Sequence, residues 1–348
     1  MRRRFRTPKK TNMHSLFRPR GLFTLLALGL VQAAAHASCG SAFCTVNTYW
    51  DTQGLAPTEG LTLDLRYSYA RADRLRAGAH RVSPEAPSGS DEEIEDGRTV
   101  NQILELDADY TLNPRWNVQV AVPLVLRDHV HTFDSSIAGP FTQQARFTSL
   151  GDVSVVGKYK FAGNDPLGGG GLRIGLKLPT GAIDHSMTPP DPADPGTPYA
   201  LERSAQPGTG STDLILGAYR YGSWPASDWS WFASGQLQAA IATRDGYRPG
   251  RQLRLDVGVN YAFTHEVVGL LQLNVQHRTR DGGVNANPAS GGYSVNLSPG
   301  LSYAVTPTMR LYGFVQKPLV QYVNTDPADG AGQLAAPWSL AVGVSRSF

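Results

Sequence analysis

The chain has 348 residues with a formal net charge of +3, and 18% of its residues are charged. Glycine and proline supply 61 of them, too many for a helical bundle. Eight of the 32 basic residues and none of the 29 acidic ones fall within residues 1–37; the rest of the chain is at −5, which removes the case for a nucleic-acid partner.

Those first residues read as a secretory signal. Arg2, Arg3, Arg4, Arg6, Lys9, Lys10, Arg18 and Arg20 precede an apolar run from Gly21 to Ala35, followed by the A-x-A-like Ala35-His36-Ala37. The run is shorter than the ~20 residues of a membrane-spanning helix. Residues 1–37 are therefore expected to be removed, and 38–59 to form a periplasmic or lumenal segment. The only cysteines, Cys39 and Cys44, stand at its start. They are candidates for one small disulfide loop, which so short a spacing strains. Residues 36–38 lack the aliphatic residue that opens a lipobox. A segment of this length, carrying Tyr49 and Trp50 without strand alternation, is a candidate plug or gate.

From residue 60 the period is two. Leu61, Leu63, Leu65, Tyr67 and Tyr69 alternate with Thr62, Asp64, Arg66 and Ser68; Leu253 to Phe263 and Tyr293 to Val305 repeat the pattern. The reading is an all-β fold over 60–348. Strands are expected near 60–70, 99–110, 116–127, 149–161, 171–179, 211–221, 229–242, 252–263, 266–278, 292–305, 308–320 and 337–348. Their length suits a tilted membrane strand of ~9–11 residues better than the soluble mode of about five to six. Short turns alternate with long loops, which are read as solvated and irregular: 71–98, 128–148, 180–210, 243–251, 279–291 and 321–336. Strand-end aromatics, among them Tyr110, Trp116, Tyr159, Tyr219, Tyr221, Trp229, Tyr261, Tyr303, Trp338 and Phe348, are read as interfacial girdles. The expectation is a transmembrane antiparallel up-and-down barrel of about twelve strands with both termini periplasmic. The rival is a soluble sandwich or lipocalin-like barrel.

Alternation turns Arg66, Glu105, Asp107, Lys158, Lys177, Arg254 and Asp256 toward the lumen. They are candidate pore-lining residues, an acidic wall facing a basic one; the plainer reading is a mutually paired interior. Twelve strands fall between the filled eight-stranded barrels and the open porins, so a narrow or occluded lumen is expected.

Several motifs carry a family resemblance: Leu150-Gly151-Asp152-Val153, Lys158-Tyr159-Lys160-Phe161, Leu176-Lys177-Leu178-Pro179-Thr180-Gly181, Gly208-Thr209-Gly210-Ser211-Thr212-Asp213-Leu214-Ile215-Leu216-Gly217, Leu297-Ser298-Pro299-Gly300-Leu301-Ser302-Tyr303 and Tyr312-Gly313-Phe314-Val315-Gln316-Lys317-Pro318-Leu319-Val320-Gln321. The chain resembles, over roughly 60–348, the bacterial outer-membrane family named for the meta-cleavage pathway of phenol degradation. The resemblance implies a barrel passing small, often apolar or aromatic, compounds, and supplies no catalytic residues. One departure is Arg346, third from the end, where an outer-membrane assembly signal carries an aromatic or apolar residue.

Neither G-x-S-x-G nor H-E-x-x-H occurs. His129 and His131, in Asp128-His129-Val130-His131, are spaced for a metal, although a lone H-x-H is more often a solvated loop feature. The sequence reading is an outer-membrane channel or transporter, not an enzyme, without cofactor. Its expected partners are outer-membrane lipid and lipopolysaccharide, the barrel assembly machinery and a small-molecule solute, with no nucleic acid, in a monomer. The second reading is an outer-membrane scaffold or binding partner for a periplasmic or redox/metal protein; the third is an outer-membrane enzyme.

Overall fold

A computed structural model describes residues 46–55, 60–83, 93–135, 139–161, 167–190, 195–328, 330 and 332–348. The expected signal segment, residues 1–37, and the pair Cys39 and Cys44 lie outside the described residues.

The alternating segments form thirteen long strands: β1 (Gly60–Ala72), β2 (Glu93–Asn113), β3 (Trp116–Ser135), β4 (Gly139–Leu150), β5 (Ser154–Lys160), β6 (Gly168–Lys177), β7 (Ser211–Ser223), β8 (Trp229–Thr243), β9 (Gln252–Ala262), β10 (Val267–Arg278), β11 (Gly292–Thr306), β12 (Met309–Val323) and β13 (Ser339–Ser347). β4 and β5 are one strand broken at 151–153. β5 pairs with Trp116–Ala121 of β3 and β4 with Leu124–Ser135. The wall is thus a ring of twelve antiparallel strands, in which β13 pairs back onto β1 with Thr62 opposite Ser347. Closure leaves no sheet edge in the hydrocarbon, where an unpaired backbone group costs several kcal/mol.

The break has a local cause. Pro123 of β3 has no N–H to donate to the strand beside it, and the ladder fails there. Only its carbonyl bonds across, accepting from the Gly151 N–H at 2.8 Å. Beyond this point β4 pairs with β3 along its length, and on its other side Gln144 exchanges backbone bonds with Thr188 at 2.8 and 2.9 Å.

The outer face is apolar and accessible. Leu65, Leu106, Ile174, Val257, Leu301 and Val342 are all exposed, and Ile174 is 59% exposed. A continuous belt of this kind is far larger than the apolar patches soluble monomers tolerate. Aromatic pairs bound it. Trp116 packs at a tilt against Tyr159 and Trp229 against Tyr261, both at 4.8 Å, toward the chain termini; Tyr69 meets Trp338 at 5.6 Å and Tyr293 meets Tyr322 at 5.1 Å toward the loops. From Trp116 to Leu126 the apolar row of β3 covers roughly 26 Å of height at ~3.4 Å per residue and a tilt of ~40°, which matches the ~25 Å band of outer-membrane barrels. Tyr219 and Tyr221 depart from the girdle expectation: their register on β7 turns them inward.

Turns at the terminal end are short and built on side-chain acceptors. Asn113 Oδ1 accepts from the N–H groups of Arg115 and Trp116, both at 3.0 Å; Thr264 Oγ1 accepts from those of Glu266 at 3.1 Å and Val267 at 3.0 Å. The loop end is more ordered than the sequence suggests. Most of 128–148 continues as the β3–β4 hairpin. Short pairs join Arg74–Ala77 to Gln333–Ala335, Ser186–Met187 to Tyr199–Ala200, and Tyr247–Arg248 to Gly282–Gly283. Polar side chains knit these loops. Asp281 accepts from Tyr247 Oη at 2.7 Å, from the Gly250 N–H at 2.8 Å and from Arg278 at 2.6 Å. Burial and the Asp281 carboxylate beside it push the Tyr247 phenol above its ordinary range. Gln333 Nε2 donates to the carbonyls of Gly291 at 2.8 Å and Asn324 at 3.0 Å.

Candidate functional site

Residues 46–55 lie inside the ring at its terminal end. Their contacts come from inward-facing residues on opposite sides of the wall. The Asn47 backbone exchanges two bonds with the Gln272 amide of β10: its N–H donates to Oε1 at 3.0 Å and its carbonyl accepts from Nε2 at 2.8 Å. Asn47 Nδ2 donates to Ser234 Oγ of β8 at 3.0 Å. Arg66 of β1 donates to Thr48 Oγ1. Trp50 Nε1 donates to Asp64 Oδ2 of β1 at 3.2 Å, and its ring meets Tyr312 of β12 edge-on at 4.9 Å. Val46 and Trp50 pack with Leu270, Tyr312 and Phe314, an apolar patch within a polar lumen. Asp51 pairs with Lys158 of β5 at 3.0 Å. The Arg173 guanidinium of β6 lies 4.2 Å from the centre of the Tyr49 ring, a cation–π arrangement.

The segment closes on a single 3-10 turn, Trp50–Gln53, ended by Gly54 in the left-handed region at φ +74°. Gly54 is pressed against Tyr221: a Cβ there would come within 2.5 Å of the ring. Tyr221 is itself accommodated by glycine, since a Cβ on Gly169 would meet its hydroxyl at 2.5 Å. The glycine run of β6 therefore makes room for the stacked Tyr219–Tyr221 pair, whose ring centres are 6.4 Å apart. Cavities flank the segment. One of about 230 Å³ is bounded by Asp51, Lys158, Lys160 and Tyr219. A second of about 460 Å³ lies at Gly54, Lys160, Tyr221 and Ser230, and a third of about 330 Å³ at Trp50, Leu55, Thr62 and Arg310.

All seven candidate lining residues stand on the inner face, in local pairs and networks. Arg66 bridges to Glu105, its cross-strand partner. Lys158, 1% exposed, bridges Asp51 and Asp109. Asp107 accepts from Gln119 Nε2 at 2.7 Å, Asp256 from Asn274 Nδ2 at 2.7 Å, and Arg254 donates to Gln252 Oε1 at 3.3 Å.

Lys177 anchors a cluster that joins three separated sequence motifs. Its ammonium bonds Asp152 at 2.8 Å, Asp213 at 3.3 Å and the Thr209 hydroxyl. Asp152 also accepts from the N–H groups of Gly181 at 3.0 Å and Thr209 at 2.9 Å. The strings around 150–153, 176–181 and 208–213 thus converge on one carboxylate beside the break in the β4–β5 strand. It stitches the wall where the sheet ladder stops.

His129 and His131 are not solvated. Both are buried on the inner face of β3, their ring centres 4.9 Å apart, and His129 Nδ1 bonds Thr99 Oγ1 at 2.8 Å. Among the described residues no group of three or more His, Cys, Asp or Glu is placed to hold a metal.

Sequence reasoning missed the lumen's amide and hydroxyl groups, Gln272, Asn274, Asn296, Ser298 and Gln316. They occupy alternate positions on β10, β11 and β12, so the signal was present as polar period-two residues without charge.

The motif-based resemblance is matched over part of the chain: the family model described as putative MetA-pathway of phenol degradation matches residues 193–324. The strings at 208–217, 297–303 and 312–321 fall inside that span, and those at 150–181 lie outside it. No curated protein matches the chain in sequence. An outer membrane channel from Pseudomonas putida F1 is similar in structure, with TM-score 0.58, 14% identity, and 84% of this chain and 97% of that chain covered. The monoaromatic hydrocarbon channel CymD gives TM-score 0.43 at 10% identity, covering 91% and 98%. The translocator domain of the autotransporter NalP from Neisseria meningitidis gives 0.43 at 12%, covering 84% and 90%. The fold is that of a bacterial outer-membrane β-barrel.

Proposed function

We propose that the chain is an outer-membrane channel for small solutes whose lumen is gated by residues 46–55, with the terminal end facing the periplasm. The observation that carries this reading is the segment itself: it is held by side chains from β1, β5, β6, β8, β10 and β12, and it is flanked by cavities of solute size. Its holding bonds are mostly single hydrogen bonds and ion pairs, each worth about 0.5–3 kcal/mol net, so the segment can shift without unfolding the wall. The stacked Tyr219–Tyr221 pair beside the cavities offers a face for a planar ring, consistent with the aromatic solutes that the family's description suggests. The reading gives the lumen no catalytic task, since its carboxylates at Asp64, Asp107, Asp109, Asp152, Asp213 and Asp256 are each engaged by a neighbouring side chain.

Planar-bilayer recordings of the intact chain and of a chain lacking Val46–Leu55 test the proposal. The intact protein is expected to give a small, fluctuating conductance and the deletion a larger, steady one. Swelling of liposomes in a panel of aromatic, fatty and ionic solutes then ranks permeants. Equal conductance in the two chains sinks the gate, and an absence of both conductance and swelling sinks the channel.

A further inference from the structure

A groove of about 730 Å³ opens on the outer face of the wall at the terminal end of β5, β6 and β7. The outward row of β5 is Val155, Gly157 and Tyr159, so Gly157 leaves one place in that row without a side chain. Across it in register stand Val118 of β3 and Ile174 of β6. The rims are Trp116 and Tyr159 on one side and Leu172, Ile174 and Leu216 on the other, all lining the groove. The Trp116–Tyr159 pair marks the membrane–water boundary at its mouth.

Arg115 also lines this groove, one residue before Trp116. The turn fixes its backbone: Asn113 Oδ1 accepts its N–H at 3.0 Å, and its carbonyl accepts from the Lys160 N–H at 2.8 Å. Its guanidinium has no ion-pair partner among the described residues. An unneutralised cation at the aromatic boundary, beside a sideways-opening apolar trough, is complementary to a diester phosphate with an acyl chain attached.

We propose that this groove is a specific glycerophospholipid site: one acyl chain lies over Gly157 and the phosphate diester bonds Arg115. The occupant belongs to the leaflet at the terminal end. The site depends on the membrane position of the barrel and not on transport, so it stands or falls separately from the channel reading.

Native mass spectrometry of the detergent-purified full chain, delipidated and then supplied with phosphatidylglycerol, diacylglycerol of the same chains, or lipid A, tests it. The wild type is expected to hold one phosphatidylglycerol in preference to the other two. Arg115→Gln should weaken phosphatidylglycerol at least about five-fold while sparing diacylglycerol, because it removes one interfacial cation. Gly157→Leu should lose both by filling the trough. Heat-modifiable gel mobility reports whether each variant folds; if Gly157→Leu does not, Leu216→Trp fills the groove from its other rim. The proposal is overturned if the groove-filling variant keeps the lipid, if Arg115→Gln keeps the preference for phosphatidylglycerol over diacylglycerol, or if lipid A is held equally well.

Discussion

Two arcs of the same inner wall handle polarity in opposite ways. From β1 to β7 it is charged: Arg66 with Glu105, Lys158 with Asp51 and Asp109, Lys177 with Asp152 and Asp213. From β10 to β13 it is mainly amide and hydroxyl, with Arg278 and Arg310 at its two ends. Gln316 Nε2 donates to Asn274 at 3.2 Å and Ser298 at 3.0 Å, Ser298 Oγ donates to Asn274 at 2.7 Å, and Ser339 Oγ donates to Gln316 at 3.3 Å. Amides and hydroxyls both donate and accept, so a patch of them can satisfy itself. Charges cannot, because each needs an opposite sign, and here part of that demand is met by Asp51 of the lumenal segment. The charged arc is therefore coupled to the segment by charge, while the amide arc holds it through Gln272 and through the packing of Leu270, Tyr312 and Phe314 on Val46 and Trp50.

The strongest way to break the contrast is Asp152→Ala. It strands the buried Lys177 ammonium beside Asp213 alone and frees two backbone N–H groups. Breaking a buried pair costs about 3–5 kcal/mol, which a denaturant titration in detergent should show as an earlier midpoint. Next is Lys158→Met. Asp51 and Asp109 lose their shared cation, and single-channel recordings should show a larger conductance and a shift toward cation selectivity. Unchanged selectivity would mean that the charged arc does not face the ion path. Gln272→Ala removes both bonds to the Asn47 backbone; at about 0.5–1.5 kcal/mol each it should raise the frequency of open events more than their size. Gln316→Leu should be the mildest. It leaves Asn274 and Ser298 to each other, costs about 1–2 kcal/mol, and should leave conductance unchanged. A conductance change there would erase the distinction between the arcs.

The wall was legible because alternation is a one-dimensional signal with a two-sided environment. Strand positions in the membrane match the expected ones closely, and the seven charged candidates follow from parity alone. Parity also identifies Tyr219 and Tyr221 as inward, whereas their place at a strand end resembles that of girdle aromatics. The β3–β4 hairpin reads as a loop in the sequence because above the membrane its residues are polar on both faces, as in Thr142-Gln143-Gln144. The convergence on Asp152 could not be read from spacing, since Thr209 and Asp152 are 57 positions apart and meet only when β5, β6 and β7 pair side by side. The lodging of 46–55 was suggested by its length, whereas its partners on six strands depend on tertiary geometry that no local pattern encodes.

The pairing of β13 with β1 also bears on biogenesis. Thr62 and Ser347 are 285 positions apart, and the last backbone bond of the seam runs from the Phe348 N–H to the Leu61 carbonyl at 2.8 Å. The first barrel strand to emerge must therefore wait, its edge unsatisfied, until the last residues arrive. Such an open edge is a template for mispairing, and contacts this distant form slowly. A chain stalled or clipped before Ser339 would present two raw edges at once, so the length of time the seam stays open sets the window in which a chaperone or a protease can intercept it.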